Sequence, residues 1–542
     1  NLERAVRFVA ENLESPLNLD FKKVYWDVET GKYPTIKESL DAYLEIWRDY
    51  SIEFIESIHL IESSLYEPNE AERVRILERA LQVILDGVYE KMLKYSHTIR
   101  SPLTNLYMLG IVLPTLALAL LPLASTLLGG AITWYHVIVL FNIVIPFFVY
   151  YLSTQIMLKR PGGHGETQNL EQNPNYPQYK SKKPYVIAAI ITIPLLLIGL
   201  SPIIMKLVEL TTLDITMKEL GIGIMGEMKF IDFKEGPTGT TGPFGVGALL
   251  ISMLVPISLA TFYSISAKLR TKELIKARNE SNKLEDEYAS SLFQLGNRIG
   301  DGMPAEVAFG RIADSLKGQT TENFYRLINT NIQQGGMSLE EAIFNKRRGA
   351  IVYYPSTLIA TSMKILVESV KKGLQVAARS LMSISEYVKN IHKISERLRD
   401  LLAEVVSDMK SNMTFLAPLL SGIVIGLATM ITTILGRLEL MFTLGGDQTI
   451  SGIGSLSSIL SIFELKTMIP PYYLQVAIGI YIIQVIIILT GALVTVDSGE
   501  DRLKTTNELG KNLKRGMILY AITAIISIVA LTLLASIALK GI

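Results

Sequence analysis

The side chains best suited to nucleophilic or metal chemistry are few in this sequence. The chain has no cysteine, which excludes disulfides, thiolate metal sites and cysteine nucleophiles. Its five histidines are scattered, without the close spacing that metal ligands usually show: His59, His97, His136, His164 and His392. The sequence therefore predicts no metal site, no catalytic residue and no cofactor.

One glycine-rich segment has the spacing of a nucleotide-binding motif. Residues 221–226, Gly-Ile-Gly-Ile-Met-Gly, match G-x-G-x-x-G, but they fall in a loop between apolar segments, without a βαβ unit around them. A P-loop of the form G-x-x-x-x-G-K-[ST] and a metalloprotease H-E-x-x-H do not occur in the sequence. We therefore expect the match to be coincidental and the chain not to be an enzyme.

Two basic clusters are the remaining candidates for a functional site: Lys346, Arg347 and Arg348, and Lys371 with Lys372. Each precedes a glycine at a predicted helix end, where cations complement the helix dipole and are easily solvated. One interpretation is a solvated rim, and the other is an electrostatic docking surface for a partner protein. The residues alone leave both open.

The composition defines the class of protein that carries these residues. The chain has 542 residues, 49% of them hydrophobic and only 19% charged, and its mean hydropathy is +0.33. Soluble domains usually carry about a quarter charged residues. With a formal net charge of +1 there is no basic field to attract nucleic acid, so we expect no nucleic-acid partner.

Seven segments of about 20 residues or more have no Asp, Glu, Lys or Arg in their interior. At about 1.5 Å per residue each can cross a hydrocarbon core of about 30 Å, and a helix satisfies its own backbone there. The sequence therefore predicts an all-α, polytopic membrane protein. The segments are 103–128, 134–158, 184–205, 244–267, 413–435, 472–496 and 517–539.

Lysine and arginine are unevenly distributed between the loops. Loops 159–183 and 502–515 are basic, whereas 206–243 and 436–471 are balanced or poor in base. Basic loops remain in the cytoplasm. We therefore expect a multi-pass protein of the cell membrane, with the N-terminus and residues 268–412 cytoplasmic and the C-terminus outside.

Two helical regions are predicted outside the membrane. In the first, apolar residues recur at helical spacing over 36–63 and 70–95, which predicts a helical hairpin preceded by a less regular arm. The predicted divisions are an N-terminal cytoplasmic region (1–100), spans 1 and 2 (101–160), a cytoplasmic linker (161–183), spans 3 and 4 (184–267) with an outer loop (206–243), a cytoplasmic helical bundle (268–412) and spans 5 to 7 (413–542).

Two spans are predicted to continue into the cytoplasm as long helices. Between the fourth span and Gly296 the sequence contains neither Pro nor Gly, so that helix should extend through a charged stretch. An apolar helical pattern over 375–413 leads directly into the fifth span. Both helices would bound the cytoplasmic bundle.

A short internal repeat lies between these two helices. The sequence Asp-Gly-Met-Pro-Ala-Glu-Val-Ala-Phe is echoed 34 residues later by Gly-Gly-Met-Ser-Leu-Glu-Glu-Ala-Ile. In each copy a glycine, Gly302 or Gly336, ends one helix. Pro304 suits the first turn of the next helix, and Ser338 with Glu341 predicts a capping box.

This arrangement of helices, Gly-x-Pro/Ser and Gly-Gly-Met-Ser-Leu-Glu-Glu-Ala-Ile resembles the F domain of type II secretion and type IV pilus platform proteins. The segment 409–422, Met-Lys-Ser-Asn-Met-Thr-Phe-Leu-Ala-Pro-Leu-Leu-Ser-Gly, and the large number of spans resemble the archaeal branch. The resemblance covers roughly residues 290–440 and rests on structural motifs.

The resemblance implies a non-enzymatic membrane platform for assembly of an archaeal type IV filament, either a pilus or an archaellum. The implied partners are a hexameric cytoplasmic secretion ATPase, pilin or archaellin subunits, membrane lipid and a second copy of the chain in a homodimer. It also favours the interpretation of the two basic clusters as a docking surface for the ATPase.

Two other classes of function remain open. The main alternative is a polytopic transporter or channel with a regulatory cytoplasmic domain. Ion-coupled transporters usually carry an ionisable residue in mid-membrane, whereas these spans contain only His136, near one end. A membrane-embedded enzyme would need converging catalytic groups, which no motif indicates.

Overall fold

A computed structural model of the chain describes residues 2–13, 17–128, 131–161, 176–208, 230–236, 239–354, 356–444 and 468–540. The glycine-rich segment 221–226, His164 and residues 162–175 of the predicted linker lie outside the described residues. So does the greater part of each predicted outer loop.

The described chain is almost entirely helical, and seven helices are long and apolar enough to cross a membrane. This confirms the predicted all-α, polytopic class. The seven are Glu70–Leu127, Trp134–Met157, Lys183–Leu207, Val246–Gly300, Leu374–Gly436, Pro471–Ser498 and Arg502–Ala535.

The secondary structure of the described residues consists of helices, three π-helical turns and one antiparallel ribbon. The helices are α1 (Leu2–Asn12), α2 (Leu17–Glu29), α3 (Ile36–Ile46), α4 (Ile52–Ser64), α5 (Glu70–Tyr107), α6 (Leu113–Leu127), α7 (Trp134–Val139), α8 (Ile145–Met157), α9 (Tyr176–Lys180), α10 (Lys183–Leu207), α11 (Val246–Ser252), α12 (Leu254–Gly300), α13 (Ala305–Ser315), α14 (Thr320–Gln333), α15 (Leu339–Phe344), α16 (Ala350–Tyr353), α17 (Thr357–Val370), α18 (Leu374–Ser411), α19 (Ala417–Leu444), α20 (Pro471–Ser498) and α21 (Arg502–Lys540). The π-helical turns are π1 (Met108–Val112), π2 (Leu140–Val144) and π3 (Asn412–Leu416), and the ribbon pairs β1 (Lys234–Gly236) with β2 (Gly239–Thr241).

The chain divides into two compact units. The first comprises Asn1–His97 and Asn279–Leu401, and the second comprises Thr98–Arg278 and Leu402–Ile542. The N-terminal region and the bundle, which the sequence divides into separate regions, therefore belong to one unit. We call the second the membrane unit, because it holds the apolar parts of the seven long helices.

The N-terminal part of the first unit has more helices than the sequence predicts. The expected irregular arm forms α1 and α2, which bury Phe21 against Leu40 of α3. The predicted helix over 36–63 is two helices, because Ser51 starts a new one: its Oγ accepts a hydrogen bond from the Phe54 N–H (3.4 Å). A serine cap thus divides a pattern that contains neither Pro nor Gly.

Helices α4 and α5 pack closely through a small residue and an ion pair. A Cβ at Gly87 would lie 2.5 Å from Glu53 Cγ, so glycine permits the close approach. Lys91 Nζ lies 2.8 Å from Glu53 Oε2. The hydrogen bond from Lys91, with a backbone hydrogen bond and one from Ser51, lowers the pKa of Glu53 from an ordinary 4.5 to about 2.

Helix α5 extends beyond the predicted end near residue 95. It runs to Tyr107 with Pro102 in its interior, and through π1 and α6 it is part of one long helix, Glu70–Leu127. Proline is tolerated in spanning helices because neighbouring groups satisfy the freed backbone. The helix Glu70–Leu127 therefore joins charged sequence to an apolar span, in addition to the two helices for which the sequence predicts this.

The bundle formed by residues 279–401 has a continuous apolar core. Tyr288, Phe309, Phe324 and Leu381, from four different helices, are fully buried. Glu287 of α12 adds a polar anchor at the start of α14, since its Oε2 accepts the N–H of the second residue of that helix (3.1 Å). The bundle is therefore a packed helical domain.

The membrane unit is arranged around α20. Of the most apolar 18-residue stretch of α20, 67% is buried inside the protein, whereas the figure for α10 is 22%. Helix α20 is therefore enclosed by other helices, and α10 has most of its surface available to lipid. Helices α19 and α21 approach closely at two glycines. A Cβ at Gly422 would lie 2.8 Å from Ala524 N, and one at Gly426 would lie 2.5 Å from Ser527 Cβ.

Candidate functional site

The internal repeat forms two helix starts of the predicted kind. Gly302 and Gly336 have φ angles of +88° and +62°, and a Cβ on either would meet nothing within 4 Å, so backbone conformation requires the glycine. Ser338 Oγ accepts the Glu341 N–H (3.3 Å) and the Glu341 carboxylate accepts the Ser338 N–H, which confirms the capping box. Pro304 lies immediately before α13. The repeat residues are structural.

The cluster of Lys346, Arg347 and Arg348 forms a fixed turn after α15. Asn345 Oδ1 accepts the N–H groups of Arg347 (2.9 Å) and Arg348 (3.2 Å). Asn331 Nδ2 donates to Arg348 O (2.8 Å), which ties the turn to α14. The three basic side chains are exposed, and within the described part of the chain none of them forms an ion pair. A rigid backbone therefore presents three unneutralised charges to solvent.

The cluster of Lys371 and Lys372 is partly neutralised within the chain. Lys371 Nζ lies 2.9 Å from Glu368 Oε1 and 3.2 Å from Glu340 Oε2. The hydrogen bond to Glu368, followed by the one to Glu340, raises the pKa of Lys371. Both lysines are exposed, so these pairs contribute little stability, but they reduce the charge that a partner would meet.

The two basic clusters lie at opposite ends of α15. Glu340, the partner of Lys371, is in the first turn of that helix, whereas Lys346 follows its last turn. Six helical residues separate the two ends by about 9 Å. Of the two, the cluster at Lys346, Arg347 and Arg348 is the better candidate for binding an acidic partner.

A second group of candidate residues joins α12 to α21 within the membrane unit. Three α12 residues at seven-residue spacing each make a polar contact, two of them with α21 and the third with Asp501, which immediately precedes it. Ser264 Oγ donates to Gly510 O (2.7 Å), Thr271 Oγ1 donates to Asn507 Oδ1 (3.4 Å), and Arg278 Nη1 pairs with Asp501 Oδ2 (2.5 Å). The Asp501 side chain is 6% exposed, so this ion pair is shielded from salt and water. We call these contacts the polar seam, and they fix the register of the two helices.

Helix α20 makes one polar contact with each π-helical turn. Tyr481 OH donates to Gly110 O in π1, Gln484 Nε2 donates to Asn142 O in π2 (2.9 Å), and Thr490 Oγ1 contacts Met413 Sδ in π3 (3.1 Å). A π-helical turn disturbs the regular backbone pairing of a helix and often lies at a functional site. The sequence signal for these contacts is weak, since it consists of single polar residues in an apolar span.

Four carboxamide side chains in the seven long apolar helices have atoms without a hydrogen-bond partner in the described part of the chain: Asn142, Gln475, Gln484 and Asn512. Gln475 is fully buried, and neither its Oε1 nor its Nε2 is paired. The same holds for both side-chain amide atoms of Asn142 and for Gln484 Oε1. Unpaired polar atoms are costly in an apolar interior, so these groups are candidates for contact with water or a partner.

One histidine lies close to two carboxylates, contrary to the expectation from histidine spacing alone. A ligand atom of His59 lies within 4.8 Å of ligand atoms of Asp41 and Glu62. Elsewhere, His392 Nε2 pairs with Asp286 Oδ1 (3.0 Å), as an exposed surface pair. The spacing between histidines in the sequence gives no sign of a mixed cluster contributed by two helices.

The fold defines the class of this protein: it is an all-α, multi-pass membrane protein, with seven long apolar helices among the described residues. Comparison with known proteins gives no match, since no family model, no curated protein and no solved structure is similar to the chain.

Proposed function

We propose that this chain is a non-enzymatic membrane platform for assembly of an archaeal type IV filament, a pilus or an archaellum. In this role it couples a hexameric cytoplasmic secretion ATPase, which hydrolyses the ATP, to the insertion of pilin or archaellin subunits. The proposal draws on the sequence resemblance of residues 290–440 to the F domain and on the long helices described above.

The observation that carries the proposal is the continuity of three helices. Glu70–Leu127, Val246–Gly300 and Leu374–Gly436 have 58, 55 and 63 residues, far more than the roughly 20 needed to cross a bilayer. Each therefore has a charged part that must lie in water. A continuous helix can transmit a displacement from a motor in water to the bilayer, because its backbone hydrogen bonds resist sharp bending.

The proposed orientation follows the positive-inside rule. The N-terminus and residues 279–401 are cytoplasmic, so the ATPase can reach them, and the C-terminus is outside. A homodimer would place two sets of long helices against one hexameric motor. Lipid covers the exposed apolar surface of α10 and α21, where Ile190 and Ile526 are 69% and 61% exposed.

The proposed docking site for the ATPase is the turn at Lys346, Arg347 and Arg348. Its charges have no acidic partner among the described residues, and its backbone is held by Asn345 and Asn331. A preformed, unneutralised basic turn suits an acidic surface on the partner, because little ordering entropy is lost on binding.

The test is charge reversal in the full-length protein in its native host. We expect Lys346→Glu, Arg347→Glu and Arg348→Glu together to abolish filaments and co-purification of the ATPase at low salt, while membrane insertion is unchanged. Lys22→Glu with Lys23→Glu, on the exposed face of α2, is the matched control and should leave filaments normal. Normal filaments in the triple variant would remove these residues from the proposal, and failure of the wild-type chain to bind the ATPase would oppose the proposal itself.

The alternative of a transporter or channel is favoured by one observation, the unpaired carboxamides of Gln475 and Asn142 inside the apolar helices. A conducting path would need polar groups there. Flux measurements in vesicles distinguish the two functions. Solute or ion flux that Gln475→Leu abolishes would support a channel, whereas vesicles as tight as protein-free ones would support the platform.

A further inference from the structure

Helices α3 and α4 bring three potential metal ligands together in the N-terminal part of the first unit. His59 and Glu62 are three residues apart on α4, so they project from the same face of that helix. Asp41 comes from α3, on the other side of the Trp47–Ser51 connection. One ligand atom from each residue lies within 4.8 Å of the other two.

The spacing of these donors is close to that of a bound ion. His59 Nδ1 lies 3.3 Å from Glu62 Oε2. Donors on a tetrahedral Zn²⁺ are about 3.3 Å apart, given bonds of about 2.0–2.1 Å. Asp41 is exposed and on a flexible side chain, so a small rotation can bring its carboxylate into bonding range.

The Glu62 carboxylate provides a second, independent observation at the same place. Its side chain is only 7% exposed, yet Oε1 has no hydrogen-bond partner and the sole ionic partner of Oε2 within the described residues is His59. Neither Asp41 nor Glu62 forms an ion pair with a lysine or arginine in the described part of the chain. A buried carboxylate with an unpaired oxygen is costly, and a cation removes that cost.

We propose that Asp41, His59 and Glu62 bind one divalent transition-metal ion of the zinc class, with the remaining coordination position open to water. The donor set is one imidazole nitrogen and two carboxylates, without thiolate, which favours Zn²⁺ or Co²⁺ over Cu⁺ and, through the imidazole, over Mg²⁺. The ion fastens α3 to α4. The site is separate from the proposed filament function, and its test measures metal alone.

The experiment uses the full-length protein in detergent, purified without a polyhistidine tag and stripped with a chelator. Equilibrium dialysis against Zn²⁺, with bound metal determined by atomic absorption, should give one equivalent per chain. Asp41→Asn and His59→Gln should each weaken binding by at least about tenfold. Glu56→Gln and His97→Gln, both exposed, are matched controls and should bind as the wild type does.

Two further measurements distinguish a specific metal site from adventitious binding. Co²⁺ should give the intense visible absorption of a tetrahedral centre in the wild type and lose it in His59→Gln. Zn²⁺ should raise the thermal midpoint of the wild type and of both controls more than that of Asp41→Asn or His59→Gln. Asp41 and His59 are exposed, so these variants should fold even if a change at buried Glu62 does not, and circular dichroism verifies this. Less than one equivalent on the stripped wild type, or equal affinity in Asp41→Asn and His59→Gln, would overturn the proposal.

Discussion

The close packing of α19 on α21 gives the sharpest prediction of this structure. At Gly422 a single added methyl group would lie 2.8 Å from the backbone nitrogen of Ala524, and closer still to Thr523 Oγ1. Ordinary van der Waals contact begins at 3.4 Å, so the methyl would be about 0.6 Å too close to backbone that cannot rotate away. We therefore expect Gly422→Ala to separate the two helices.

The size of the effect follows from the cost of overpacking. Inserting one methylene-sized group into a well-packed interior costs about 1–3 kcal/mol, because side chains leave their rotamers and backbones shift. Gly426→Ala would meet Ser527 Cβ at 2.5 Å one turn further along, so it should cost a similar amount. The double variant should cost less than the sum, because one separation of the helices relieves both clashes.

The assay is titration with sodium dodecyl sulfate from mild detergent micelles, followed by circular dichroism. Gly491→Ala is the matched control: it lies in the spanning helix α20, and a Cβ there would meet nothing within 4 Å, so its effect should stay within about 0.5 kcal/mol. Equal midpoints for Gly422→Ala and Gly491→Ala would refute the close packing of α19 and α21.

Three other changes test separate parts of the structure. Tyr481→Phe removes the hydrogen bond to Gly110 O and should destabilise the membrane unit by about 0.6–1.7 kcal/mol in the same titration. An unchanged midpoint would contradict that hydrogen bond. Glu396→Gly with Arg397→Gly should destabilise α18 by about 2 kcal/mol and reduce the number of filaments. Alanine at the same two exposed positions should leave the helix and the filaments unchanged. Equal filament counts for the glycine and alanine variants would contradict transmission through a stiff helix. Glu53, whose pKa is lowered to about 2, contributes stability that is complete above pH 4.5 and is lost as the pH falls toward 2. Glu53→Gln should therefore make the thermal midpoint less dependent on pH over that range and should cost less than about 1 kcal/mol at pH 7. An unchanged pH dependence would contradict the ion pair with α5.

The parts of the fold that sequence predicts well are those set by local chemistry. The seven spans follow from length and the absence of charge, because lipid leaves a helix as the available conformation. The capping box at Ser338 and Glu341 is equally local, since both partners lie within one turn. The break at Ser51 is local too, but serine inside an apolar pattern is a weaker signal than Pro or Gly, so the sequence predicted one helix where there are two.

The contacts that sequence cannot predict are chosen by tertiary packing. Gln484 and Asn142 are 342 positions apart, and neither carries a pattern that identifies the other. The same holds for Asp41 and His59, which become neighbours when the connection before Ser51 folds back. Lys371 shows the reverse case: it has the type and exposure of a docking residue, yet Glu340 and Glu368 engage its charge, and the sequence does not reveal them.

The polar contacts of the membrane unit are consistent with the platform proposal in a specific way. Each of the three helices that carry the proposal has a polar attachment near the charged end of its apolar part: π1 follows α5, π3 follows α18, and the polar seam begins at Ser264 of α12. Two of these attachments are made to α20 and one to α21. Because a buried hydrogen bond in lipid has no water to replace it, a displacement of any of the three helices must either break its contact or move α20 or α21 with it. A displacement of any of the three helices would therefore reach α20 or α21. We expect a pilin subunit that enters the filament to crosslink first to the membrane-spanning surface beside these two helices.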